Sequence, residues 1–143
     1  RVAPQERAPW TLHSAPDQGG TGPVAVFNFG GVRLGHIELE VEAPAGTVVE
    51  MAHGEHLDDL RVRASVGDRH FADRFVCRDG LSVLRVPFRR LGARFLQVQL
   101  GFPKDGGPHE AVIRRLDIIE AGPRREVRGT FESPDRLMES VRE

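Results

Sequence analysis

The densest run of side chains able to do chemistry is His53-Gly54-Glu55-His56-Leu57-Asp58-Asp59, which crowds imidazoles and carboxylates into one short stretch. If an extended strand continues through Glu55, then His53 and Glu55 project from one face, where they could reach a sugar hydroxyl or a metal. Metal binding needs three convergent side chains, and this spacing matches no standard zinc or calcium loop. No metal site is assigned. The plain reading is a polar strand end, with Asp58 and Asp59 opening a turn. The functional reading gives His53, Glu55, His56, Asp58 and Asp59 a carbohydrate-facing or domain-interface role.

The remaining candidates are weaker. Glu38, Glu40 and Glu42 form a carboxylate row, but they alternate with Ile37, Leu39 and Val41 and so read as the solvated face of a sheet. His70, near Asp68 and Asp73, has no identifiable orienting partner. Cys77 is the single cysteine, which excludes an internal disulfide and a four-cysteine zinc site. It lies in an apolar run, where a free thiol behaves as a small buried hydrophobe. Gly19-Gly20 and Gly30-Gly31 are followed by no helix and cradle no phosphate. The pairs Arg89-Arg90, Arg114-Arg115 and Arg124-Arg125 are broken up by acids and apolar residues, unlike a nucleic-acid stripe. No residue is assigned to catalysis, and no cofactor is implied.

The elements that would position these groups are strands. His36-Ile37-Glu38-Leu39-Glu40-Val41-Glu42 has the period-2 pattern of a half-buried antiparallel strand. Ala43-Pro44-Ala45-Gly46 has turn chemistry, and Thr47–His53 returns as a second strand, predicting a hairpin. Residues 54–72 form a polar loop with short extended pieces. Asp79-Gly80 between 73–78 and 81–86 is a further hairpin cue. Residues 94–100 alternate imperfectly, which predicts a bulge or twist, and 111–120 closes the set. Several short strands with turns between them argue for an all-β fold: an antiparallel β-sandwich, jelly-roll-like. The expected shared core is Ile37, Leu39, Val41, Val48, Phe75, Phe95, Val98 and Ile118, with Glu38, Glu40 and Glu42 wet.

Bulk properties fit one domain. A chain of 143 residues buries about two-thirds of its unfolded surface on folding. A charged content of 29% and a net charge of -1 exclude a disordered chain and a polyelectrolyte binder. Of the 20 basic residues only Lys104 is a lysine, a bias attributed to a GC-rich genome. No stretch approaches the ~20 apolar residues of a membrane span, and the first residues lack the apolar core of a signal peptide. The compartment is left open. Residues 1–23, rich in Pro and Gly, read as a linker from an upstream domain, pinned at Trp10. At the other end, Ser133 and Pro134 suit a helix start, with Leu137, Met138 and Val141 as an apolar stripe. This short C-terminal helix is expected to be the truncated start of a following domain, just as the missing initiator methionine suggests chain upstream.

The order of motifs adds a family. Phe27-Asn28-Phe29-Gly30-Gly31, then Gly35 to Thr47 ending Ala43-Pro44-Ala45-Gly46-Thr47, then His53 to Asp59, resembles the β-sandwich domain of bacterial α-L-rhamnosidases. The resemblance continues through Asp73 to Gly80, Pro87-Phe88 and Gly92 to Val98. Gly129-Thr130-Phe131-Glu132-Ser133 is similar to the segment that opens the (α/α)6 barrel. Asn28 stands where the family usually has aspartate, and the family's tyrosines are missing. The resemblance implies 24–130 as the β-sandwich and 131–143 as the start of the catalytic domain. It also implies an acid and base that lie in the barrel and cleave terminal α-L-rhamnosyl groups with inversion. This stretch is then a non-catalytic accessory domain. Its partners would be the C-terminal barrel and an upstream β-sandwich of the same polypeptide, with rhamnosylated glycans as a further partner; no nucleic acid and no membrane is expected. The alternative is an independent carbohydrate-binding module, disfavoured because Trp10 sits in the linker and the phenylalanines fall mostly within strands.

Overall fold

The structure is a computed structural model that describes residues 1–14, 22–104 and 107–122. The elements are β1 (Trp10–His13), β2 (Val24–Ala43), β3 (Val48–Gly54), β4 (Leu57–Asp58), β5 (Arg61–Val62), β6 (Ser65–Val66), β7 (Arg69–His70), β8 (Ala72–Val76), β9 (Gly80–Arg85), β10 (Leu91–Gly101) and β11 (Glu110–Glu120). Pairing among them is antiparallel, in a seven-stranded sheet and two small hairpins, β4–β5 and β6–β7. The described residues are all-β.

The 20-residue β2 organises the fold by changing neighbours along its length. Its first part, Val24 to Gly35, pairs with β10, which continues to β3 and β8. Its second part, Gly35 to Ala43, lies between β9 and β11, and β11 continues to β1. The exchange happens at Gly35, where a Cβ would stand 2.2 Å from the carbonyl oxygen of Ile119. Only glycine lets the two backbones come that close. One buried cluster takes Val49, Met51, Leu96, Val98 and Leu100 from the β3–β10 side. From the β2–β11 side it takes Ile37, Leu39, Val41, Ile113, Leu116 and Ile118. A shared core between two such layers fits a sandwich.

Several expectations change in detail. Neither predicted hairpin forms. Pro44 to Thr47 does turn, with Thr47 N–H donating to the Pro44 carbonyl at 3.1 Å and Gly46 at φ 81°. But β2 goes to β9, β10 and β11, while β3 goes to β10 and β8. Likewise Gly80 has φ 78°, yet β8 pairs with β3 and β9 with β2. Both turns are arches rather than hairpins, and they are laced together: Gly46 N–H donates to Cys77 O at 3.0 Å and Cys77 N–H to Thr47 O at 2.8 Å. Turn chemistry sets the local φ values; which strand lies alongside is decided by burial elsewhere.

Of the expected core, Ile37, Leu39, Val41, Val98 and Ile118 are buried together and Phe75 packs against them. Val48 and Phe95 are only half-buried; Val49 and Leu96 take the inward positions. Two adjacent valines leave the phase of β3 open. In β10 the expected irregularity falls between Ala93 and Phe95 and shifts the register, leaving the Phe95 ring beneath Arg94 at 4.9 Å. Within the stretch read as a linker, Trp10–His13 pairs with β11, and Val2 bridges Ile118. Extended Pro-rich chain suits a sheet edge as well as a linker. The C-terminal helix expected within 131–143 lies outside the described residues.

Candidate functional site

After β3 the chain leaves the sheet through the two small hairpins before returning as β8. Between β3's end and this arm is a cleft of about 330 Å³, lined by His53, Glu55, His56, Arg63 and Phe71, with Val66 at one side and Gly54 and Gly92 on its backbone. Three of the five residues proposed from sequence therefore meet. Asp58 and Asp59 do not line it; both are exposed, and Asp59 takes φ 49° in the β4–β5 turn. The turn-opening role foreseen for them accounts for their place.

His53 is the most constrained member. It is 4% exposed, its N–H donates to Phe71 O at 2.9 Å, and its ring meets the Phe71 ring edge-on at 5.8 Å. Its Nδ1 is buried and hydrogen-bonds no protein group. Burial lowers the imidazole's pKa, the nearby Arg89 charge adds to that, and Asp73 opposes it. Arg89 and Asp73 are themselves an ion pair. The outcome is a neutral ring with hydrogen-bonding capacity to spare. Arg63 and Phe71 were not singled out from sequence; the lone signal was their place in the loop beyond the histidines. Among the described residues no group of three or more His, Cys, Asp or Glu side chains could hold a metal ion.

A second ionisable centre lies on the outer face of β2, β9 and β11, and it corrects the expectation that Glu38 is wet. Glu38 is 0% exposed. Its carboxylate meets Arg1 at 2.7 Å together with Arg85 and Arg115. Register explains the gathering: Arg85 and Asp117 flank Glu38 across the two neighbouring strands. Asp117, also buried, takes Arg1 at 3.3 Å and Arg115 at 3.6 Å. Burial pushes the Glu38 carboxyl up, but the charges of Arg1 and Arg85 outweigh it and hold the pKa below the ordinary value. Glu40 and Glu42 are more open, paired with Arg115 and Arg114 at 2.6 Å each. Cys77 is a buried free thiol whose pKa burial raises, against a weaker pull from Ser82. Such a thiol is a poor nucleophile. His70 sits on the exposed β6–β7 hairpin, where Arg89 donates to its carbonyl at 3.3 Å.

Comparison with known proteins places the fold. A rhamnosidase from Klebsiella oxytoca, solved with rhamnose bound, superposes with a TM-score of 0.55 at 11% identity, covering 82% of this chain and 29% of that one. A GH78 family rhamnosidase of Bacillus sp. GL1 is 25% identical over 68% of this chain and 11% of its own, with a TM-score of 0.47. The chain thus spans less than a third of either enzyme's length. No curated protein sequence matches. Residues 21–116 match the family model of the bacterial alpha-L-rhamnosidase concanavalin-like domain, and the chain belongs to that family.

Proposed function

We propose that this chain is a non-catalytic accessory domain, a jelly-roll sandwich of a larger α-L-rhamnosidase-like enzyme, and that it scaffolds or borders the catalytic barrel. In this reading residues 1–23 lead in from an upstream sandwich and lend the edge strand β1 on the way, the sandwich proper spans 24–130, and 131–143 begin the barrel. The parent enzyme would hydrolyse terminal α-L-rhamnosyl groups with inversion. The observation that carries the reading is membership of the concanavalin-like domain family over residues 21–116. The electrostatics agree with it. An inverting glycosidase needs one carboxyl held protonated by a raised pKa and another that activates water. Among the described residues the most deeply enclosed carboxylate, Glu38, is held in the opposite, ionised state by its arginines. An independent carbohydrate-binding module finds no support: Trp10, the natural platform, is half-buried, packing edge-on against Phe27 at 4.7 Å and against the core.

The test is turnover of an aryl α-L-rhamnoside by this chain alone. No release above a protein-free blank is expected. Release that disappears when a carboxylate such as Glu55 or Glu40 is replaced would overturn the proposal.

A further inference from the structure

We infer that the cleft beside His53 is a binding subsite for one neutral, hydroxyl-rich ring with an apolar face, the chemistry of a single pyranose. Four features of the cleft lead there. Its volume, about 330 Å³, admits one such ring but not an extended chain. Its lining combines apolar side chains, Phe71 and Val66, with polar ones, Glu55, His56 and Arg63. Sugars combine the same two characters: C–H groups on one face of the ring, hydroxyls around its rim. The carboxylate of Glu55 and the guanidinium of Arg63 carry opposite charges, so the pair offers little net field to a phosphate or a cation. Each can instead take a hydroxyl in the role that suits it, acceptor for Glu55 and donor for Arg63. Last, His53 lines the cleft as an imidazole that burial holds neutral, so it adds a polar ring without adding a charge.

The backbone permits this arrangement. Gly92 lines the cleft, and a Cβ there would meet Glu55 Oε1 at 3.9 Å and Leu34 Cδ1 at 4.0 Å. Those are ordinary contacts. The position tolerates a side chain, and its being glycine keeps the cleft open. The subsite acts as one wall of a larger enzyme and needs no aromatic platform, so the core role of Trp10 does not bear on it. The choice of a 6-deoxyhexose as first probe rests on the proposed function; the site itself does not.

The experiment is a titration of the isotope-labelled 143-residue chain with methyl α-L-rhamnopyranoside and, in parallel, methyl α-D-glucopyranoside, followed by NMR chemical shifts. A single small ring with few contacts should bind with a Kd of about 1–10 mM. Shifts should concentrate at His53, Glu55, Arg63, Phe71 and Gly92. Arg63→Ala, an exposed position, should weaken binding at least about threefold, the loss of one charge-assisted hydrogen bond. Gly92→Leu should fill the cleft and weaken it more than about tenfold while the remaining spectrum keeps its dispersion. Binding of both sugars, or of the rhamnoside alone, supports the subsite. Binding of the glucoside alone also supports it, but counts against a rhamnosidase parent. Saturation at neither sugar up to about 100 mM, or binding that survives Gly92→Leu, overturns it.

Discussion

Glu38 and His53 are both polar groups removed from water, and the protein treats them in opposite ways. Glu38 keeps its charge because Arg1, Arg85 and Arg115 close over it, and Asp117 and Glu40 share those arginines in turn. Every charge at that centre is answered from within. His53 gives up its charge instead, and one of its ring nitrogens is answered by nothing in the protein. A closed network of the first kind holds strands in register. A cleft of the second kind is lined by polar groups that strand pairing does not use. The difference between the two separates the structural part of this domain from its candidate binding part, though both are rich in acids and bases.

The comparison can be tested by substitution, against a hydrophobic reference. Leu39→Ala empties a fully enclosed core position and should cost about 2–5 kcal/mol in urea unfolding. Glu38→Ala should cost less, about 1–3 kcal/mol, because the arginines it strands are half-exposed and water screens their repulsion. If Glu38→Ala is neutral, the network is decoration on the sheet. The third test uses pH. An unfolded imidazole takes up a proton as pH falls through its ordinary value near 6.5, whereas the buried His53 resists it. Its contribution is therefore fully present above that pH and is lost on acidification. His53→Gln should flatten the fall in urea midpoint between about pH 6.5 and pH 5 relative to the parent. Glu38 should reveal itself in a lower window: its depressed pKa stabilises the fold above the ordinary carboxyl value near 4.5, and that is lost as pH falls further. The smallest effect belongs to Glu42→Ala, at an exposed pair with Arg114, which should stay within about 0.5 kcal/mol.

These two centres also mark what the sequence could and could not reveal. The alternation of Ile37, Leu39 and Val41 was legible because a strand's period is local, and all three are buried. The burial of Glu38 was not legible. It depends on Arg85 and Arg115, which join it across two other strands, and on Arg1, from a stretch that reads as a linker. Turns show the same division. Gly46 and Gly80 adopt the positive φ that their motifs predict, while the strands they join pair with other partners. At the cleft, His53, Glu55 and His56 were found because they cluster in sequence. Arg63 and Phe71 arrive only through the folding back of two short hairpins that no periodicity announces.

The long strand shared by both layers has a consequence for how the molecule is made. β2 ends at Ala43, but the strands beside it, β9, β10 and β11, extend as far as Glu120. At about 5–20 residues per second, a ribosome needs roughly 4–15 s to add that remaining stretch. Until β9 and β10 emerge within that interval, the newborn strand carries Phe27, Phe29, Ile37, Leu39 and Val41 with no paired strand beside it, and β11 is complete only at Glu120. Such a segment invites pairing between nascent chains, and charged residues interspersed along it are the usual deterrent. Glu38, Glu40 and Glu42, spaced through its most apolar half, would keep neighbouring copies apart before Arg85, Arg114 and Arg115 have been made to pair with them.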